Sequence, residues 1–235
     1  MVYLTGDTHG AFRRLEGFCE RFNTTKDDIL IILGDAGFNF DGYYYDAKKK
    51  ARVQALPITV FCIHGNHEMR PETLEYYRET KWHAGTVFVE DEFPDIFFAK
   101  DGEVYDFLTS DGSTKKAIAI GGAYSVDKQY RILNNWGWWA DEQPSKEIKK
   151  RVEQVLAERD WNIDIVLSHT VPEKYMPVEN FISGVEQSSV DRTTEKWLEK
   201  IEAKLSYDKW YAGHFHCEKQ VNEKFKIMFE GYCEL

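Results

Sequence analysis

Five short motifs, GDTHG, GDAG, GNHE, SHT and GHFH, each follow an apolar run, and they occur in that order between Gly6 and His216. A polar cluster after one apolar run is ordinary turn chemistry. Five of them point to a fold in which several strand ends meet at one place, because ligands of open α/β sheets bind at the carboxyl ends of strands. The motifs supply Asp7, His9, Asp35, Asn66, His67, His169, His214 and His216. Of the 7 histidines, only His83 lies away from them, since His64 directly precedes GNHE.

The runs and their followers read as an α/β chain. Val2 to Leu4 forms a strand, and Phe12, Leu15, Phe18, Cys19 and Phe22 recur at near-helical spacing after GDTHG. Ile29 to Leu33 ends in GDAG before a helix over Tyr43 to Ala55, and Ile58 to Ile63 ends in HGNHE before a helix expected after Pro71. From Thr86 to Gly122, short aromatic and aliphatic runs are divided by Asp101-Gly102 and Asp111-Gly112, which predicts hairpins and a second sheet. Helices follow at Ser145 to Arg159 and near Val190 to Leu205, and the runs Ile163 to Leu167 and Lys209 to Ala212 deliver SHT and GHFH. A single domain over residues 1–235 is expected, with the hairpin and aromatic loop region 86–143 covering the site.

No apolar stretch approaches the roughly 20 residues that span a bilayer, and the 43% hydrophobic and 30% charged content describes a soluble protein with no membrane partner. Asp7 follows the first apolar residues too closely for a cleavable leader, and Cys19, Cys62, Cys217 and Cys233 form neither a CxxC pair nor a dense framework. Both features lead to an expectation of reduced thiols in the cytoplasm. A net charge of -10 argues against a grip on extended nucleic acid. It leaves room for a small anionic substrate, because two divalent cations bring about +4 of charge while Asp7 and Asp35 remove about 2.

Mixed Asp, Asn and His donors suit borderline divalent ions such as Mn, Fe, Zn or Ni. DxH and HxH each let two side chains two residues apart face one ion from a turning segment. Gly6, Gly10, Gly34, Gly65 and Gly213 fit turns where backbone passes close to a ligand.

With these residues in view, the chain resembles the calcineurin-like metallophosphoesterase superfamily, whose pattern runs DxH, GD, GNH[DE], H, GHxH. The resemblance implies a four-layer αββα fold with two facing mixed β-sheets flanked by helices. It also implies a dinuclear-metal-dependent hydrolase of phosphate esters, phosphomonoesterase or phosphodiesterase, that uses a metal-bridging hydroxide. Carried over motif by motif, Asp7, His9 and His216 would hold one ion, Asn66, His169 and His214 the second, and Asp35 would bridge the two, with manganese the first expectation. Such ions stand about 3.5–4 Å apart and clamp the phosphoryl oxygens. His67 would not be a ligand; it would serve as general acid at the leaving group. Glu68 would orient a neighbouring ligand.

The second motif departs from the serine/threonine protein phosphatases of this superfamily, where it runs GDxxDRG. Here GDAGFNF puts Phe38 and Asn39 in place of the Asp and Arg, and Asn is no substitute for a bidentate guanidinium. Asp41 is one replacement for the carboxylate. Lys128 and Arg131, in GGAYSVDKQYR, are the candidate substrate-binding cations. Trp136, Trp138 and Trp139 can stack on a base or fill space beneath a loop, which favours a nucleotide or cyclic nucleotide among small phosphate esters. Two alternatives remain: a serine/threonine protein phosphatase with a relocated phosphate-binding Arg, and a non-catalytic metal-binding scaffold. The scaffold is expected to lose ligands or His67, and none is lost.

Overall fold

In the computed structural model, which describes residues 1–181 and 183–235, two mixed sheets face one another and helices cover their outer faces. The first sheet takes its parallel centre from β1 (Val2–Thr5), β2 (Ile29–Ile32) and β3 (Thr59–Cys62), which are extended by β4 (Arg78–Trp82), β5 (Gly85–Val89) and β6 (Ile96–Ala99). The second contains β7 (Val104–Leu108), β8 (Thr114–Ile120), β9 (Asn162–Ser168), β10 (Ser206–Ala212), β11 (Lys219–Gln220) and β12 (Phe225–Ile227), and its strands β8, β9 and β10 run parallel. A last strand, β13 (Tyr232–Glu234), returns to pair antiparallel with β1.

Strands β2 and β3 are buried at every position, ILII and TVFC, as expected of strands covered on both faces. Their inward residues Ile31 and Phe61 meet Tyr105, Phe107, Ala117 and Leu167 of the second sheet in one apolar cluster. On the far side of the first sheet lie α1 (Arg13–Phe22), through Leu15, Phe18 and Cys19, and α2 (Tyr43–Gln54), through Val53. After the short α3 (Lys128–Leu133) come α4 (Lys146–Ala157) and α5 (Thr193–Glu202), which cover the second sheet with Ile148, Val152, Leu156, Trp197, Leu198 and Ile201. Helix α1 stops at Asn23, whose left-handed backbone (φ 48°) closes the helix. The Ser145 hydroxyl starts α4 by accepting the Ile148 N–H.

Two sequence expectations change. No α-helix follows Pro71: a single 3-10 turn, Pro71–Thr73, leads into the edge strand β4. The segment offers few apolar residues to a helical face, whereas as a strand it stacks Trp82 on Phe61 and Phe97. Asp101-Gly102 is likewise not a hairpin turn, because β6 lies in one sheet and β7 in the other. Asp101 anchors this crossing by accepting from the Gly121 N–H (2.6 Å) and from Arg70 Nη1 (2.7 Å). Within region 86–143 the strands belong to the sheets, and only the part that follows β8 borders the motif residues.

Candidate metal centre

Six adjacent parallel strands, three in each sheet, end at the same edge, and each delivers a polar segment there. Asp7 follows β1, Asp35 follows β2, Asn66 and His67 follow β3, His169 follows β9, and His214 and His216 follow β10. The sixth, β8, delivers Asp127 and Arg131, of which only Arg131 was expected at the site. Cross-links between segments hold the edge together: His9 N–H to Asp35 O (2.8 Å), Gly122 N–H to His64 O (2.8 Å), Gly213 N–H to His169 O (2.9 Å) and His214 N–H to Asp7 Oδ1 (2.8 Å).

Asp35 lies at the middle. Its Oδ2 is 3.4 Å from His67 Nδ1, 3.8 Å from His169 Nε2 and 3.9 Å from His9 Nε2, while Oδ1 accepts the His67 backbone N–H at 2.8 Å. Asp7 Oδ2 is 3.3 Å from His216 Nε2 and 3.7 Å from His9 Nε2. Donor atoms converge in three overlapping groups, Asp7-His9-His216, Asp7-Asp35-His169 and His9-Asp35-His67.

Two features show that these donors fit cations. Asp7 Oδ2 is buried without a hydrogen-bond partner, a costly state for a carboxylate oxygen unless something positive faces it. His169 Nδ1 donates to the Leu33 carbonyl (2.8 Å), so in the neutral ring Nε2 is an acceptor, yet it faces Asn66 Oδ1 at 2.8 Å. The Asn66 amide is oriented by Nδ2 donating to Ser125 Oγ (2.9 Å). Two acceptors at that separation suit neighbouring ligands of one ion, since each would stand about 2.0–2.2 Å from it. His9 Nε2 and His216 Nε2 approach to 2.9 Å in the same manner. His214 is the looser member: its ring stands 5.0 Å from that of His169 and lines the larger cavity beside the cluster.

Electrostatics favour the metal-binding forms of Asp7, His9 and His214, whereas contact with Asp7 raises the pKa of His216. Burial works against the Asp7 carboxylate, but His216, with Nε2 at 3.3 Å, and the nearby His169 and His9 hold its pKa well below the usual range. Burial lowers His9, and burial with the His169 charge takes His214 down to about 3, so both imidazoles keep free lone pairs. Glu68, buried near Asp35, is pushed well above the usual carboxylate range by burial and then by that charge; its Oε1 accepts the Gly65 N–H at 2.7 Å.

Backbone strain concentrates here too. His9, Asp35, His214 and His216 have φ of 44°, 47°, 70° and 48°, a left-handed conformation that costs about 1–2 kcal/mol at a residue bearing a Cβ. Glycine is needed next to them. A Cβ on Gly65 would run into Asp35 Oδ1 and its backbone nitrogen, and one on Gly34 (φ 100°) into the His169 ring.

Arg131 is buried and reaches the site: Nη2 is 3.4 Å from His67 Nδ1, and Nε donates to Asp127 Oδ2 at 2.7 Å. Asp127 Oδ1 stands 3.5 Å from His67 Nε2. Burial raises the Asp127 pKa, but the hydrogen bond and charge of His67, with the charge of Arg131, leave it below normal. The carboxylate beside His67 is therefore Asp127. Asp41, the sequence candidate, pairs instead with Lys49 at 2.5 Å. Lys128 does not join the site either; its ammonium lies 4.2 Å from the Trp138 ring. Asn39 is fully buried, its Oδ1 accepting from Lys50 Nζ (2.7 Å) and the Tyr77 hydroxyl (3.1 Å), and Phe38 stacks on Phe12 in the core. Neither position faces substrate.

The tryptophans are not a stacking platform in the cavities. Trp136 packs on Tyr130, Trp138 donates to Glu142 and Trp139 packs on Phe40. His64 is buried with Nε2 on the Glu68 carbonyl, His83 is exposed against the Asp106 carbonyl, and Cys217 is partly buried. Asp127 and Ser125 were not expected from the sequence, although GGAYSVD follows an apolar run as the five motifs do.

The family profile of calcineurin-like phosphoesterases matches residues 1–218. The chain belongs to that family. Membership carries metal-dependent phosphoester hydrolysis as its general chemistry, and the Asp and His groups above can hold the metal. No curated protein matches this phosphoesterase in sequence. Among solved structures, a protein of unknown function from Aquifex aeolicus, AQ665, is similar at 14% identity with a TM-score of 0.34, over 73% of this chain and 79% of that one. No helix among the described residues of the phosphoesterase is long and apolar enough to cross a membrane.

Asp127→Asn tests the new carboxylate. Turnover is expected to fall about 10–100-fold with metal content kept, because such supporting partners typically matter to that extent. Steady-state kinetics with metal analysis checks it, and unchanged turnover would separate Asp127 from the reaction.

Proposed function

We propose that this phosphoesterase hydrolyses small phosphate esters with two divalent ions, manganese first among Mn, Fe, Zn and Ni. In this reading Asp7, His9 and His216 hold one ion, Asn66, His169 and His214 the other, and Asp35 both. The observation that carries it is Asp35 Oδ2, within 4 Å of nitrogens of His9, His67 and His169. When bound, the ions supply Lewis acidity toward the phosphoryl group and lower the pKa of water.

The chain's own groups do the rest. Asp127 orients His67 at Nε2, and His67 gives a proton from Nδ1 to the departing oxygen. Arg131 Nη2 stands 3.4 Å from His67 Nδ1, so the guanidinium is placed to donate to a phosphoryl oxygen next to the departing one. The four free cysteines accord with a reducing, cytoplasmic setting. Placement of Arg131 beside His67 also supports a second reading, a serine/threonine protein phosphatase whose cation has moved from the second motif.

A rate comparison over monoesters, diesters, nucleotides, cyclic nucleotides and a phosphopeptide, across a metal series, tests both. Best turnover of the phosphopeptide would favour the second reading, and no turnover of any ester with any divalent ion would defeat both. For His67→Ala the expected result is a 100- to 10,000-fold loss of turnover, on the order of a general acid's contribution, with metal content unchanged. Loss of metal instead would make His67 a ligand.

A further inference from the structure

Two cavities meet at His67, and they differ in chemistry. The smaller, about 210 Å³, has Arg131 and the Lys49–Asp41 pair in its wall, and the guanidinium suits a phosphoryl oxygen. The larger, about 360 Å³, begins at Asp35, Asn66, His67 and His214 and extends away between Val126, Met176, Phe181, Val185, Val190 and Phe215, with Asp127, Asp191, Arg192 and Glu195 also in its lining. None of these six apolar side chains is fully buried, and Val126 is exposed. Apolar surface kept open beside a reactive cluster is what a small-molecule site presents, and the volume lies in the range of such sites.

The wall residues have contacts of their own. The Phe181 and Phe215 rings lie nearly parallel, 16° apart with centroids 6.4 Å from each other. The Arg192 guanidinium sits 5.9 Å from the Phe181 ring, with Nη2 donating to Gln187 Oε1 at 3.2 Å. Phe215 is the residue between His214 and His216, so the apolar wall is continuous with the proposed ligands.

We propose that the larger cavity is the leaving-group subsite, and that it selects phosphate esters whose departing group is an apolar, aromatic-sized body. This rests on the phosphoesterase reading for the reaction itself. Its occupant follows from continuity: of the two cavities only the larger begins at Asn66 and His214, among the proposed ligands, and it runs past His67 to the apolar side chains, while Arg131 in the smaller cavity takes an oxygen that stays on phosphorus. Phe181 is then a specificity-determining residue outside the five motifs.

Non-hydrolysable phosphonates separate binding from turnover. Calorimetric titration of the manganese-loaded protein with methylphosphonate, phenylphosphonate and 1-naphthylphosphonate is expected to give rising affinity, at least about tenfold from first to last. Phe181→Ala should remove most of that gain and leave methylphosphonate affinity unchanged, an internal check that the centre is intact. Val190→Asp, at another lining position, should do the same. Equal affinity for the three phosphonates, no binding of any, or a gain that survives both substitutions would overturn the proposal. Aryl-selective binding with no hydrolysis of any ester would support the subsite and defeat the phosphoesterase reading; hydrolysis without aryl selectivity would do the reverse.

Discussion

Asp35→Asn is expected to reduce turnover by well over 100-fold and to weaken both metal ions together. The size follows from position. Partners that merely orient a ligand already change metal affinity about 10- to 100-fold, and Asp35 Oδ2 is the atom on which His9, His67 and His169 converge. Asparagine keeps the volume and removes the charge. Its oxygen end can still accept the His67 N–H that Oδ1 accepts at 2.8 Å, so the turn survives and the effect is electrostatic. Metal content by mass spectrometry after dialysis, alongside kinetics, is the measurement. Two ions retained at wild-type affinity would remove Asp35 from its shared role.

The largest stability effect is expected from Phe61→Ala, about 3–5 kcal/mol. Phe61 is fully buried between the sheets, its ring 4.8 Å from Tyr105, 5.1 Å from Trp82 and 5.9 Å from Phe107. Those neighbours belong to strands of both sheets and cannot collapse into the space without moving one sheet on the other. For a chain of this length the loss corresponds to a fall of about 10 °C in melting temperature. Thermal and urea unfolding check it, and a loss under about 1 kcal/mol would mean that the inter-sheet layer repacks freely.

How much was legible in the sequence depended on how local the signal was. The parallel strands at the centre of each sheet were readable because each is a short apolar run that ends in a turn with a distinctive polar residue. The motif residues were brought together as their order implied, since adjacent parallel strands put their carboxyl ends side by side. Residues 74–82 were misread because an edge strand stabilised by Trp82 stacking has no marked period of its own. Asp127 was only half legible: its i,i+4 spacing to Arg131 is in the sequence, whereas its approach to His67 comes from the fold. In the second motif the missing cation was legible, and Arg131, the candidate from another segment, does lie beside His67; the inward turn of Asn39 to Lys50 and Tyr77 was not legible, because it depends on packing.

The left-handed backbone at His9, Asp35, His214 and His216 sets durability against activity in this chain. At each of these positions glycine would relax the backbone, and at each it would delete a donor. Backbone relaxation at these four positions is thus set against loss of a donor, and at Asp35 also against the bond from the His67 N–H. Retention of imidazoles and a carboxylate in such places is the mark that function leaves on the backbone itself.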